Sequence, residues 1–264
     1  MLKMLNSIDD HNDEVAAALC CCFSPDGQQI YSGFDRAVRI FQTSRPGRDS
    51  QTRKTTPTRS SRKGQKGLIS TLSVTPDGTM YAAGSYSGSI GVYSCAEGKE
   101  LALLPAGSGV TQVSFAPDGL LLMAGERKSS ALAGWDIRHT AAPLFTCRRA
   151  LTTNQRLQFD IDPCSSYVAT ADETGKVLVY DIREECDKPE DSPALAGEFA
   201  LHEDVCCNSV AFHPYLPVLA TGSGSRQFTE EGEAPQSRNE VGVHKLGWER
   251  GPEAEAEDLA DLSH

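Results

Sequence analysis

The stretch CFSPDGQQIYSGFDRAVRIF runs from Cys22 to Phe41. An apolar run stops at Ser-Pro-Asp-Gly, an alternating segment follows, the chain turns again at Gly-Phe-Asp-Arg, and a third β-prone run closes the unit. Proline has no N–H to give a sheet and Asp-Gly suits a tight turn, so three short antiparallel strands are predicted. The unit recurs as FSPDG (Phe23–Gly27), VTPDG (Val74–Gly78) and FAPDG (Phe115–Gly119), then more loosely as DIDPCSSY (Asp160–Tyr167) and AFHPYLP (Ala211–Pro217). Its prolines stand at 25, 76, 117, 163 and 214, which are 51, 41, 46 and 51 residues apart.

A period of about 40–45 residues, four strands per unit and a terminal Trp-Asp-like dipeptide form the WD-repeat pattern. GWD (Gly134–Asp136) and VYD (Val179–Asp181) supply that ending. The predicted fold is therefore all-β, a WD-repeat β-propeller with four blades and a partial fifth. Closed propellers have about four to eight blades and WD-repeat rings most often seven, so an incomplete ring is expected, with apolar terminal faces in water. Residues 1–228 are assigned to the blades and 44–67 to a basic inter-blade loop. Residues 229–264 are read as an acidic, disordered tail, because Glu230–Asp261 carries ten acidic residues against three basic ones.

Composition narrows function. No run approaches the roughly 18 apolar residues of a membrane span. The acidic start MLKMLNSIDDHNDE does not read as a signal peptide. The nine cysteines include no Cys-x-x-Cys pair, so reduced, buried thiols are expected rather than a zinc site or disulfide framework. The six histidines fall in no metal or nucleophile motif, and no glycine-rich phosphate loop is present. The expected protein is not an enzyme and has no cofactor, metal or small-molecule substrate.

Charge is unevenly spread. Ser44–Gly67 holds eight Lys/Arg and one Asp in a chain of net charge −11, which leaves −18 for the rest. Mapped onto a blade, one face collects Arg36, Arg59, Arg62, Lys63, Lys66, Arg127, Lys128, Arg148, Arg149 and Arg156. Acidic EECDKPED (Glu184–Asp191) falls on the other. A basic rim on an acidic body suits phosphate contacts. Asn154 and Gln155 add amides able to read base edges or 2′-hydroxyls. Phe34 and Tyr86 are the aromatics in these loops. A competing reading uses WDIR and YDIR, with Asp136, Arg138, Asp181 and Arg183, as adaptor-binding boxes of a cullin ubiquitin-ligase receptor.

DHNDE (Asp10–Glu14), CFSPDG, RPGRD (Arg45–Asp49), AAGSYSGSIGVY (Ala82–Tyr93), LALL (Leu101–Leu104), TTNQR (Thr152–Arg156) and HPYLPVLATGSGSRQF (His213–Phe228) together resemble the telomerase Cajal body proteins. These are WD-repeat RNA scaffolds, and the match covers only their C-terminal blades. HKLGWER (His244–Arg250) stands where that family ends in a Leu-x-Leu-Trp-Trp strand. The resemblance implies binding to small Cajal body RNAs of the H/ACA class and to telomerase RNA. It also implies contacts with H/ACA ribonucleoprotein proteins and the telomerase holoenzyme. The implied location is the nucleus, in Cajal bodies, with some cytoplasmic protein, and the implied role is support of telomere maintenance.

Overall fold

A computed structural model describes residues 7–8, 15–45, 47, 49–58, 60–183, 186, 188–202, 205–224 and 239–247. Arg59 of the basic rim lies outside them. Four of the sheets have four antiparallel strands in meander order. Blade 1 comprises Cys20–Phe23, Gln29–Phe34, Ala37–Gln42 and Ser50–Lys54. Blade 2 comprises Ile69–Val74, Met80–Ser85, Ser89–Ser94 and Glu100–Pro105. Blade 3 comprises Val110–Phe115, Leu121–Glu126, Ala131–Asp136 and Phe145–Arg148. Blade 4 comprises Phe159–Ile161, Tyr167–Ala171, Lys176–Asp181 and Ala194–Ala200. Blade 5 has three strands among the described residues, Cys207–Phe212, Val218–Ser223 and Glu240–Lys245. Ser7–Ile8 pairs separately with Val15–Ala16.

The Pro-Asp-Gly units are the turns between first and second strands. In blade 1 the Ser24 hydroxyl and the Gln28 N–H both donate to Asp26 Oδ1, at 2.6 and 3.0 Å. Thr75, Asp77 and Thr79 repeat this arrangement in blade 2. Each turn ends in a left-handed residue: Gly27 (φ 68), Gly78 (φ 69) and Gly119 (φ 73), with Ser165 (φ 57) in blade 4. A left-handed backbone is easy for glycine and strained for serine. Asp162 offsets that strain by accepting the N–H groups of Ser166 and Tyr167 at 2.5 and 2.6 Å.

The apolar core lies between blades. Tyr31, Val38 and Ile40 of blade 1 meet Ile69, Leu72 and Tyr81 of blade 2, and each later pair of neighbours encloses a similar cluster. The second and fourth positions of the third strand make these contacts. Val38 and Ile40, Ile90 and Val92, and Val177 and Val179 are all buried. Their counterparts in blade 5, Val241 and Val243, are 84% and 72% exposed.

Polar ties run alongside the apolar ones, joining successive first strands. Thr71 and Ser73 hydroxyl oxygens accept the Val113 and Phe115 N–H groups at 3.1 Å each. Gln112 binds both backbone groups of Phe159, donating to its carbonyl at 2.7 Å and accepting its N–H at 3.0 Å. Asp160 accepts the Phe212 N–H at 2.7 Å. Between blades 1 and 2 the weaker donor Cys20 Sγ–H points at the Ile69 carbonyl, 3.6 Å away.

Two sequence assignments need correction. Within the segment read as tail, Glu240–Lys245 pairs along the whole of Val218–Ser223. Its Val-Gly-Val alternation is a strand signal hidden by the acidic residues around it. Within 44–67, Ser50–Lys54 is the outer strand of blade 1, so only the flanking residues form loops. Among the expected buried thiols, Cys21 and Cys164 are exposed rather than buried.

Two outcomes are expected. Gln112→Ala leaves both backbone groups of buried Phe159 without this partner, and should lower unfolding stability by about 1–3 kcal/mol in a denaturant titration. An unchanged midpoint would show the tie to be dispensable. Native-state alkylation near neutral pH should label Cys21 and Cys164 first. Burial shields Cys20, Cys22, Cys147 and Cys206 and raises each thiol to about 12, so these should react only on unfolding.

Candidate nucleic-acid interface

Loops that leave a fourth strand for the next blade share the upper face with turns between second and third strands. The first such loop, residues 55–68, is tethered at its base. The Thr55 N–H donates to the Arg36 carbonyl at 3.0 Å, the Arg36 N–H to Gly67 at 2.9 Å, and the Gln65 N–H to Thr55 at 2.9 Å. Arg62, Lys63 and Lys66 stand exposed on it. Arg36 lies in the adjacent turn with its Nε 3.6 Å from Asp35, which offsets its charge.

Each of these loops can also send a polar side chain down into the blade it enters. Gln65, fully buried, accepts the Tyr93 hydroxyl at 3.0 Å and donates to the Ala83 carbonyl at 2.7 Å. His202 meets Thr221 at 2.9 Å in blade 5. In blade 4 the same place belongs to Arg149. It is 3% exposed, and its Nη1 donates to the Leu157 carbonyl at 3.0 Å and to the Thr170 hydroxyl at 3.1 Å. Burial pushes its pKa down to about 10, with Asp172 opposing the fall. Arg149 is thus removed from the phosphate-contacting set, because it is enclosed where no phosphate reaches. Phe34 is removed as a stacking platform for the same reason, at 5% exposed.

The TTNQR loop is held at both ends. The Glu173 carboxylate accepts the Thr152 N–H at 2.8 Å, the Thr152 hydroxyl at 2.9 Å and the Thr153 N–H at 3.3 Å. These bonds hold the Glu173 carboxyl below its usual pKa. At the other end Arg156 Nη2 donates to the Ser70 and Thr111 carbonyls, both at 3.1 Å, so it braces the first strands of blades 2 and 3. Gln155 Oε1 is enclosed without a partner among the described residues. Asn154 is exposed at the tip.

Asn154 borders a cleft of about 610 Å³ with Gly107, Ser108, Glu126, Arg127 and Lys128. Arg127 and Arg156 lie over the Tyr86 ring, 5.4 and 5.9 Å from its centroid. Lys128 (φ 51) and Arg36 (φ 50) are held left-handed at equivalent second-to-third-strand turns. Arg148 is exposed nearby. The structure therefore gathers Arg127, Lys128, Asn154 and Arg156 at one place, with Arg62, Lys63 and Lys66 on a separate loop. Glu126 escaped sequence reasoning. Its carboxylate accepts the Ser108 N–H at 2.8 Å and shapes the cleft.

On the lower face Asp136 and Arg138 bind each other through two nitrogens, at 2.6 and 2.9 Å. That pairing holds the Asp136 carboxyl down at about 2. Asp181 and Arg183 pair likewise. Both boxes close on themselves within a strand end, which favours an internal role over adaptor contact. Among the described residues no group of three or more His, Cys, Asp or Glu could hold a metal ion.

The WD domain, G-beta repeat family matches residues 2–42 and 56–94. Telomerase Cajal body protein 1 of Bos taurus is 42% identical over 232 residues, 88% of this chain and 42% of that protein. Its Homo sapiens counterpart is 41% identical over 238 residues, 90% of this chain and 42% of that protein. Among solved structures, Kuenenia stuttgartiensis hydrazine synthase superposes with a TM-score of 0.65 at 14% identity, over 87% of this chain and 63% of that one, a likeness of fold alone. The chain spans about two-fifths of the length of these curated relatives. It is a WD-repeat β-propeller protein, related over most of its length to the proteins named telomerase Cajal body protein 1.

Proposed function

We propose that this chain is a non-enzymatic scaffold whose upper face binds RNA. The RNA class is the H/ACA-type Cajal body RNA and telomerase RNA that the relatives' name and the family resemblance point to. Binding would bring the chain to H/ACA ribonucleoproteins and the telomerase holoenzyme, and so to nuclear Cajal bodies. The observation that carries this reading is the cluster of Arg127, Lys128, Asn154 and Arg156 around Tyr86, on a chain whose net charge is −11. A strongly acidic protein that concentrates exposed cations at one place has a local field for an anionic polymer. Exposed amides and backbone-braced loops then supply shape and base contacts of the kind RNA recognition uses.

Salt dependence tests it. Binding of this chain to an H/ACA-type RNA hairpin should weaken steeply between about 50 and 200 mM salt, because each phosphate contact releases counterions. Lys128→Ala and Arg148→Ala should each lower the magnitude of the log–log slope by about 1. Arg149→Ala should instead lower the melting temperature and leave the slope of the folded fraction unchanged. RNA binding that is insensitive to salt, or a Lys128→Ala slope equal to wild type, overturns this assignment of the RNA face.

A further inference from the structure

The cleft beside Arg127 has features that a phosphate rim alone does not require. Its walls are small and polar: Gly107, Ser108, Gly109, Ser129 and Ser130 line it, with Asn154 at the side. A protein partner's anchor needs a large apolar pocket, and none is offered here. The cleft, about 610 Å³, is wide open to solvent, so a ligand there is held along one side only. Glu126, the acid among the lining residues, is tied to the Ser108 N–H at 2.8 Å. It disfavours phosphate on its own side and leaves the cationic edge at Arg127 and Lys128 for the backbone.

Arg127 is also placed unlike an ordinary surface arginine. Its backbone is fixed, the N–H donating to Gly109 at 2.8 Å and the carbonyl accepting the Ser108 hydroxyl at 2.7 Å. Its guanidinium lies over Tyr86, while Arg156 reaches the same ring and is itself anchored on two carbonyls. A guanidinium held beside an aromatic ring and exposed to solvent offers a planar cation on which a nucleobase can stack.

We propose that this cleft holds one unpaired nucleotide of the bound RNA. Its base lies on the Arg127 guanidinium that Tyr86 supports, its edge faces the Asn154 amide, and its phosphate rests on Lys128. The proposal rests on the RNA reading above and adds to it a preference for single-stranded over paired RNA. In a duplex the bases are already stacked on one another and are not free to enter.

The test compares a short oligoadenylate, with a fluorescent adenine analogue at one position, against a self-complementary RNA duplex of equal phosphate number. Wild type should bind the single strand more tightly and quench the analogue on binding. Arg127→Lys keeps the charge and removes the plane. It should weaken single-strand binding about tenfold, abolish the quenching and leave both the salt slope and duplex binding unchanged. Asn154→Ala should reduce discrimination between oligoadenylate and oligouridylate with little change in slope. Thermal melts of each variant verify folding. If wild type binds both RNAs equally with a normal salt slope and Arg127→Lys matches it, the nucleotide site is wrong and the phosphate rim stands. If wild type binds neither RNA, the RNA reading fails and the nucleotide site with it.

Discussion

Each sheet in this chain has two faces that must leave water, and a sheet of three or four strands cannot cover itself. Blades therefore stack face to face, and the core is a series of clusters between neighbours rather than one central mass. Burying a valine- or leucine-sized side chain contributes about 1.5–3 kcal/mol, so each cluster of seven to ten buried residues between neighbouring blades contributes strongly to cohesion. The apolar contact has no direction of its own. Orientation comes from the polar ties, because Thr71, Ser73, Gln112 and Asp160 each satisfy a backbone group on the next blade's first strand. Burial holds the Asp160 carboxyl above its usual pKa, while the Phe212 and Ile161 N–H groups pull it back.

The same stacking decides what the upper face can do. Loops that cross from blade to blade are pinned at their bases by backbone hydrogen bonds and by side chains sent into the blade below, Gln65, Arg149 and His202 among them. What remains outside is a set of short, fixed projections. Cations on such projections lose little conformational freedom on meeting a partner, unlike lysines on a flexible tail. The lower face has its own basic residues, but Arg138 and Arg183 are neutralised by the aspartates two positions earlier.

Repeat, turn and strand were legible because each is a local pattern: Pro-Asp-Gly dictates a turn wherever it falls, and alternation marks a strand. Glu240–Lys245 was hidden because acidic composition was weighed over a whole segment while the strand signal occupies six residues. The site was legible only in outline. Arg148 and Arg149 are adjacent and chemically identical, yet Arg148 ends the outer strand exposed while Arg149, the next residue in the loop, is buried against blade 4. Nothing local in Arg-Arg distinguishes them. The distinguishing contact, Thr170, is 21 residues away. Phe34 failed likewise, since Arg39 and the blade 1 core claim its ring.

The contrast between Arg149 and Arg127 shows how burial divides the work of one residue type. A pKa of about 10 leaves Arg149 cationic at neutral pH. Its charge is held by the Leu157 carbonyl, the Thr170 hydroxyl and the field of Asp172, in a place that mobile ions do not enter. A buried charge with partial solvation is strongly coupled to its neighbours and weakly coupled to bulk salt. Arg127 is the reverse, exposed to solvent with the Tyr86 ring beside it, so mobile ions reach it directly. The same chemical group thus stands under two dielectric regimes, and a change in ionic strength acts on Arg127 while sparing Arg149.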